Sequence, residues 1–277
     1  MSIRILPIRT LLYYLTIVFV MATLSVASSS LFDALSVVRN FLSICLGAFF
    51  VYRVLLWRKF TRETRFEHRL ITCLILSLLF YIDYPWYFYF CVGVLVELLQ
   101  RVARLPSGPI FNPAALAATI VSLIHFSPVW WGASFTPRIP IIRGGMSIVV
   151  FLTVPVGLYV AWKYRKLFIV GTFLLLFILS HVLLVHRSPA FILLEGTLLF
   201  FVLVMVVEPK TSPVNQKEQI VYGAFLGILV PLAMRLHLTE PYLMPLLFLN
   251  LLFNTYRNRK TLLKPKPQTL VATQPTQ

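Results

Sequence analysis

The sequence is poor in charge, and poorest in negative charge. Charged residues make up 12% of its 277 residues, with only nine Asp and Glu against 25 Lys and Arg. Hydrophobic residues make up 59%, and the mean hydropathy is +0.85. A soluble domain of this size does not need so much apolar surface. The composition therefore leaves no room for a soluble catalytic domain and indicates a polytopic helical membrane protein.

Cysteine is also scarce, with Cys45, Cys73 and Cys91 each inside an apolar run. No Cys-x-x-Cys pair occurs, so the sequence gives no sign of an iron–sulfur or zinc site. We interpret the three thiols as small packing residues.

The net charge of +16 could suggest a nucleic-acid partner, but the distribution of the basic residues argues against one. They lie in short clusters between apolar runs, which is the pattern of cytoplasmic loops. In a ten-span arrangement, nineteen would lie on one side and five on the other, while Arg53 falls inside a span. This asymmetry predicts that both termini are cytoplasmic.

The apolar runs predict ten membrane spans joined by short connections. We place them at residues 10–27, 37–57, 69–83, 85–100, 111–128, 145–162, 167–185, 189–207, 219–235 and 241–256. An alternative is that residues 1–27 form a cleaved signal peptide, because Ser25-Val26-Ala27 resembles a cleavage site. The first apolar run is long for such a peptide, and we favour a retained span.

Ten spans divide into two sets of five, so a homologous second half would enter the membrane inverted. We predict one membrane domain over residues 1–266, with repeats at about 10–128 and 145–256, and a disordered cytoplasmic tail over 267–277. The fifth and tenth spans are both short and begin with proline. We expect them to be half-length helices that face a shared cavity from opposite sides.

The fifth span begins in an unusual way for a membrane segment, with SGPIFNPAALA over residues 107–117. Asn112 suits the N-cap of a helix, and Pro113 suits the first helical position, where its missing N–H costs nothing. Such a helix start offers partial positive charge to an anion or a polar ligand edge. The alternative is a plain cap that binds nothing.

Two stretches carry a resemblance to a known family, at residues 85–117, which include Phe-Asn-Pro-Ala, and at residues 195–229, which include Glu-Pro-Lys-Thr-Ser-Pro. Together with Asn250, they resemble the NqrB/RnfD family. Its members are the NqrB protein of the sodium-pumping NADH:quinone oxidoreductase and the RnfD protein of the Rnf electron-transport complex, both membrane subunits. The resemblance implies ten helices in two inverted repeats and a bacterial cytoplasmic membrane.

The resemblance also implies flavin-linked electron transfer within a complex of membrane subunits, in some members coupled to ion movement. Thr136 lies in the loop where family members carry esterified FMN, but the Ser-Gly-Ala that precedes the threonine is missing here. We therefore expect FMN or riboflavin to bind without a covalent bond. The expected cofactor-binding residues are Asn112, Pro113, Trp130, Trp131, Thr136, Thr211 and Ser212.

Two carboxylates within predicted spans, Glu97 and Glu195, suggest an ion or proton path, because a charge in lipid is costly. The alternative is that each is paired or lies near a span end. His125, His181 and His186 fall near the outer ends of spans, where they could be interface residues or ligands of a haem or metal. Trp130 and Trp131 could belong to the outer aromatic belt or stack on a ring.

Three functions remain open from the sequence. The first is an electron-transferring subunit with non-covalent flavin or quinone, as part of an ion-translocating oxidoreductase. The second is a cofactor-free channel or transporter for a small solute or ion on the same fold. The third is a scaffold subunit. In each case membrane lipid and other membrane subunits are the expected partners, and nucleic acid is not.

Overall fold

The computed structural model describes residues 6–27, 30–57, 66–105, 108–125, 148–185 and 196–262. Within these ranges the chain is almost entirely helical, with ten α-helices and one two-stranded hairpin. The helices are α1 (Leu6–Ala27), α2 (Leu31–Trp57), α3 (Phe66–Leu79), α4 (Trp86–Val102), α5 (Pro113–His125), α6 (Ile148–Lys163), α7 (Leu167–Val185), α8 (Gly196–Phe200), α9 (Gln216–Arg235) and α10 (Leu243–Leu262).

Each predicted span overlaps one of these helices, although their ends differ by several residues. Three helices in the described part are long and apolar enough to cross a membrane: α2 over Leu31–Val54, α7 and α9. Helix α5 has only 13 residues, a rise of about 20 Å, and is therefore short as expected. The all-helical class is confirmed, whereas ten complete crossings stay a prediction.

Helices α2 and α4 pack closely and run in the same direction. Near the start of the pair, Asn40 Nδ2 donates to the Ile82 carbonyl at 3.1 Å. Further along, Gly47 lies against the backbone of Phe90, and Gly93 lies against the Ile44 carbonyl. A Cβ at either glycine would overlap backbone atoms of the other helix. The parallel direction requires the chain between them, which includes α3, to return to its starting level.

Helices α7 and α9 form a second parallel pair. Gln219 Nε2 donates to the Arg165 carbonyl at 2.9 Å at one end, and Arg235 Nη1 donates to the Leu184 carbonyl at 2.6 Å at the other. Between these contacts, Ser180 Oγ donates to the Gly227 carbonyl at 2.7 Å. The second and fourth helices of each predicted half are therefore paired in the same way.

Helices at corresponding positions of the two halves meet with opposite directions. Lys163 Nζ, at the end of α6, donates at 2.8 Å to Thr10 Oγ1, near the start of α1. Asn254 Nδ2, late in α10, donates at 2.7 Å to the Ile110 carbonyl just before α5. Antiparallel packing of the first with the sixth helix, and of the fifth with the tenth, is the arrangement an inverted repeat would give.

Helix α8 is short and continues as a π-helix, Phe201–Val206, whose residues are all buried. Phe201 lies 5.7 Å from Phe173 of α7 and 5.2 Å from Tyr242, measured between ring centroids. A π-helical turn is rare and occurs mostly at functional sites. Here it ends directly before the turn that begins at Glu208.

Helix α10 differs from the expected half-length helix, because it has 20 residues. Its apolar part ends near Tyr256, but the helix continues through a polar end held by an ion pair between Arg257 and Glu218. Its start at Leu243 lies beside one cavity, lined by Met244 and Pro245, whereas Asn112 and Pro113 at the start of α5 line another. The two helix starts therefore line different cavities here, and a cavity shared by both stays a prediction.

Candidate functional site

The two stretches that carry the family resemblance meet at one cavity. It has a volume of about 250 Å³ and lies where the basic connections gather. Asn112 and Pro113 line one side, and Glu208, Pro209 and Lys210 line another. Nearly a hundred residues separate these segments in the sequence, so their meeting is a product of the fold. The remaining polar wall comes from His68, Thr72, Gln100, Arg104 and Tyr164.

The start of α5 is built as the sequence predicts. Asn112 Oδ1 accepts from the Ala115 N–H at 3.1 Å, and the Asn112 carbonyl accepts from the Leu116 N–H at 2.9 Å. The N-cap prediction is therefore confirmed. The other half of the amide, Nδ2, is buried and has no hydrogen-bond partner among the described residues. A buried donor without a partner at a cavity wall is costly unless a ligand or water accepts from it.

A small hairpin leads into this helix start. Strands β1 (Arg104–Leu105) and β2 (Gly108–Pro109) are antiparallel, and Arg104 is opposite Pro109. Gly108 has φ +152°, a conformation that residues with a side chain rarely adopt. The hairpin thereby brings Arg104 to the same cavity wall as Asn112.

The turn after the π-helix uses its own hydroxyl groups. Thr211 Oγ1 donates to Glu208 Oε2 at 3.0 Å, and Ser212 Oγ donates to the Glu208 carbonyl at 2.6 Å. Thr211 and Ser212 were expected to contact a cofactor, but both are buried here as partners of Glu208 and neither lines the cavity. The pKa of Glu208 is raised by burial, while the Thr211 bond and nearby lysines oppose this.

Two buried side chains fasten this turn to its neighbours. Asn254 Nδ2 donates to the Ile110 carbonyl at 2.7 Å and to the Thr211 carbonyl at 3.4 Å, so α10 joins the two cavity walls. Lys166 Nζ donates to the Ser212 carbonyl at 3.1 Å and also to the Pro213 carbonyl. Burial lowers the pKa of Lys166 from 10.5 to about 7.

Tyr164 contributes a second candidate donor to the cavity. Its hydroxyl is buried and has no hydrogen-bond partner in the described residues. Burial raises its pKa above the ordinary value, and the nearby Glu208 adds to the increase, so the hydroxyl keeps its proton. With Asn112, it gives the cavity two buried N–H or O–H groups that can donate to an acceptor.

Glu97, which we expected on an ion path, is part of a buried ion cluster. Its carboxylate lies 3.3 Å from Arg69 Nε and 2.9 Å from Arg101 Nη2, and its side chain is only 1% exposed. The Arg69 guanidinium also lies 3.5 Å from the ring centroid of Tyr52. This is the paired alternative that the sequence left open, and Glu97 does not line the cavity.

Four of the expected site residues, Trp130, Trp131, Thr136 and Glu195, lie outside the described residues, as does His186. His125 lies 5.8 Å from Tyr84 and 5.5 Å from Phe88 at the end of α5, and His181 stacks on Phe177 at 5.5 Å. The described part contains no cluster of three or more His, Cys, Asp or Glu residues suited to a metal ion.

The sequence left out several residues of the site. Asn254 had a visible signal, because it follows Asn250 by four residues and so shares its face of an apolar helix. Arg104, Tyr164 and Lys166 had none, since each follows a span and resembles an ordinary interfacial residue. The positions of Arg104 and Tyr164 at the cavity, and of Lys166 against the Ser212 carbonyl, depend on helix packing that a single sequence does not reveal.

Comparison with known proteins finds one family. The sequence model of the NQR2, RnfD, RnfE family matches residues 131–256, which cover α6 to α9 and most of α10. The match includes the Glu208 turn and Asn250, and the first of the two stretches quoted above lies before it. No curated protein matches the chain significantly.

Proposed function

We propose that this chain is a membrane electron-transfer subunit of the NQR2, RnfD, RnfE type, because the model of that family matches residues 131–256. In this proposal the cavity beside Asn112 receives a flavin or quinone without a covalent bond. Other membrane subunits deliver and remove the electrons, and ion movement could be coupled to the transfer. The bound group would supply the redox chemistry, while the chain supplies hydrogen bonds, charge and exclusion of water.

One observation carries this proposal: the two family-like stretches meet at a cavity with buried donors that have no partner in the described residues. Flavins and quinones present acceptor oxygens, on their carbonyl groups and, in FMN, on the phosphoryl group, and these accept from N–H and O–H groups such as Asn112 Nδ2 and the Tyr164 hydroxyl. Burial raises the pKa of Glu208, which lines the cavity and could exchange a proton there. These residues therefore fit a flavin or quinone, which the family implies.

The size of the cavity limits what it can hold. At about 250 Å³ it is smaller than the roughly 300–1,000 Å³ of pockets that enclose complete ligands. It therefore suits one polar part of a larger molecule. The cavity is also attached to the start of α5, about 20 Å along the helix from its other end at His125.

The first test is the absorbance and fluorescence spectrum of the protein purified in mild detergent, with extraction of any flavin and quinone. We expect a non-covalent cofactor in the wild type and at least a tenfold lower occupancy in Asn112→Asp, which keeps the cap acceptor but loses the donor. The matched control is Asn215→Asp, an exposed cap at the start of α9. Wild-type protein from its native membrane without flavin or quinone would contradict the proposal.

The second test addresses Thr136. Its loop lacks the Ser-Gly-Ala that precedes the flavinylated threonine in the family, and Pro137 restrains the backbone directly after it. We expect the intact mass of the denatured protein to equal that of the polypeptide. An added FMN moiety that maps to Thr136 would overturn the non-covalent proposal and strengthen the electron-carrier function.

We propose further that the chain crosses a bacterial cytoplasmic membrane ten times, with inverted halves and cytoplasmic termini. The antiparallel contacts of α1 with α6 and of α5 with α10 support this, as does the asymmetry of basic residues. Reporter fusions after Arg62 and Lys163 should indicate the cytoplasm, and a fusion after Arg138 the outside. An outside signal at Arg62 would refute the topology.

A cofactor-free channel or transporter is the second candidate, and one observation favours it. An apolar cavity of about 230 Å³, lined by Leu232, Met244 and Pro245 among others, lies at the start of α10. The corresponding helices α5 and α10 thus each begin at a cavity, as the paired interrupted helices of an inverted-repeat transporter do. Solute or ion flux in proteoliposomes with no detectable flavin or quinone would support this function over electron transfer.

A further inference from the structure

We propose that the cavity at the start of α5 binds a phosphoryl group, so that the flavin expected there is the phosphorylated form, FMN, and not riboflavin. This inference rests on the proposed function for the identity of the flavin. It rests on the cavity alone for the phosphoryl group. An inorganic phosphate or an anionic lipid headgroup offers the same chemistry, and the experiment below separates these sources.

The first step is the charge of the cavity wall. Arg104 and Lys210 both line it, from the hairpin and from the turn after the π-helix, and His68 lines it from α3. The start of α5 adds the positive end of a helix dipole. The hairpin, the turn after the π-helix and the start of α5 therefore bring positive charge or partial charge to one small space, which is the arrangement that binds a phosphate.

The one carboxylate among the lining residues opposes that charge only in part. Glu208 accepts a hydrogen bond from Thr211 at 3.0 Å, and burial raises its pKa, which disfavours its charged form. A cation would gain much less from this wall, because it would face Arg104, Lys210 and the start of α5.

The second step is the buried donor. Asn112 is only 1% exposed, and its Nδ2 has no partner among the described residues. The orientation of the amide is fixed, since turning it over would break the bond that Oδ1 accepts from the Ala115 N–H. The donor therefore stays at the cavity wall, which the Tyr164 side chain also lines, and the Tyr164 hydroxyl likewise lacks a partner in the described part. A phosphoryl group has three acceptor oxygens and can use both.

The third step is the size. A cavity of about 250 Å³ holds a phosphate with some of its water, whereas it is too small for a complete flavin. A neutral carbonyl would satisfy one donor, but it would gain little from the convergent positive charge of Arg104, Lys210 and the α5 dipole. The phosphoryl end of a ligand satisfies the donors and complements the charge together.

The experiment uses the purified full chain in detergent with its own cofactor removed. FMN, riboflavin and inorganic phosphate are titrated, and binding is followed by flavin fluorescence and by calorimetry. We expect FMN to bind at least tenfold more tightly than riboflavin, and inorganic phosphate to displace FMN. The double variant Arg104→Gln and Lys210→Gln should weaken FMN binding at least tenfold and leave riboflavin binding within about twofold. The control, Arg235→Gln, removes a positive charge at the far end of α9 and should change neither.

The outcomes separate this inference from the proposed function. Equal binding of FMN and riboflavin, with no competition by phosphate, would overturn the phosphoryl site and leave the flavin site standing. Binding of phosphate without either flavin would overturn the proposed function and support the phosphoryl site. In that case, nanodiscs with and without phosphatidic acid test a lipid as the source of the phosphoryl group. Tighter retention of phosphatidic acid than of neutral lipid by the protein would support that source. Binding of none of these probes would overturn both.

Discussion

The two halves of the chain pair their second and fourth helices in the same direction but hold them together differently. In the first half, α2 and α4 meet backbone to backbone at Gly47 and Gly93. In the second half, Gly223 and Gly227 of α9 also lie against the backbone of α7, but hydroxyl groups of α7 are added at the contact. The same close backbone approach is therefore accompanied by side-chain hydroxyl groups in the second pair.

The polar contacts near the basic connections also differ between the two halves. The first half buries an ion cluster of Glu97 with Arg69 and Arg101. In the described part of the second half, the ion pair of Arg257 with Glu218 is partly exposed, and Gln219 and Lys166 form buried hydrogen bonds to backbone carbonyls. Removing one member of a buried ion cluster leaves a charge unpaired, which costs more than leaving a backbone carbonyl without its donor. We therefore expect the first half to be the less tolerant of substitution.

The largest effect should follow from Glu97→Ala, because this change removes the carboxylate that pairs with the buried guanidinium group of Arg69. Breaking a buried ion pair in this way costs about 3–5 kcal/mol. The second-half counterpart, Gln219→Ala, should cost about 1–3 kcal/mol. Both are measured by thermal unfolding in detergent.

The control for Glu97 is Glu67→Ala, whose partner Arg9 is largely exposed at 3.7 Å. That change should cost no more than about 1 kcal/mol. If Glu97→Ala kept wild-type stability but abolished ion transport, the cluster would be part of an ion path, as the sequence first suggested, and the comparison of the halves would lose its basis.

A smaller effect should follow from adding a methyl group at the helix contacts. Gly93→Ala places a Cβ against the Ile44 carbonyl, so the helices must separate. The loss of stability should lie at the upper end of about 1–3 kcal/mol. Gly223→Ala meets Thr172 Oγ1 and lies 2.7 Å from the Ile169 carbonyl, and part of this obstacle is a side chain. Gly171→Ala meets no atom within 4 Å and serves as the control.

The combination Gly223→Ala with Thr172→Ala sharpens this comparison. Removing the hydroxyl should recover part of the stability lost at Gly223, whereas no single truncation can relieve Gly93, since its obstacle is backbone. The transition temperatures of the wild type, Gly93→Ala, Gly223→Ala and the double variant in one detergent give the result. Equal losses at Gly93 and Gly223, with no recovery in the double variant, would show that the two contacts are energetically alike.

The next effect is a pH dependence that only the second half should show. Burial lowers the pKa of Lys166 from 10.5 to about 7, so between these values the unfolded chain holds a proton that the folded chain has released. Stability should therefore rise with pH from about 7 towards 10.5, and this slope should disappear in Lys166→Met. Below about pH 7 both states hold the proton and the slope should vanish.

Gln219→Met is the control for Lys166, because Gln219 fastens the same connection through the Arg165 and Val214 carbonyls without titrating. It should lower stability by an amount that does not change with pH. Unfolding temperatures at intervals between about pH 6.5 and 9.5 measure both slopes. A wild-type slope that survives in Lys166→Met would assign the pH dependence to another group.

The sequence predicted the features that depend on local patterns. Apolar runs located all ten helices of the described part, and the Asn112-Pro113 pair located the start of α5, because capping and hydrophobicity are decided within a few residues. The length of α10 was wrong, since its polar end past Tyr256 is helical through contacts with Glu218 that lie outside any local pattern. The site was predicted in part, through Asn112 and the Glu208 turn.

What the sequence could not supply was the meeting of distant segments. Arg104, Tyr164 and Lys166 each follow a span, and nothing local separates them from other interfacial residues. Thr211 and Ser212 were expected to face a ligand, but their hydroxyls bind Glu208, three and four residues earlier. Short polar side chains next to a turn satisfy that turn first, and only the packed structure decides which groups remain for a ligand.

The smallest effect should come from a pair of asparagine caps, one in each half. Asn215 caps α9 by accepting from the Lys217 N–H at 3.1 Å, just as Asn112 caps α5, but Asn215 is exposed and away from the cavity. Asn215→Ala should cost about 1 kcal/mol, and Asn215→Asp should keep most of the cap. Neither should alter flavin or phosphate binding, whereas both changes at Asn112 should weaken it. Stability and ligand affinity measured on the four variants separate capping from binding, and an equal loss of affinity at Asn215 would mean that Asn112 acts only through the helix it caps.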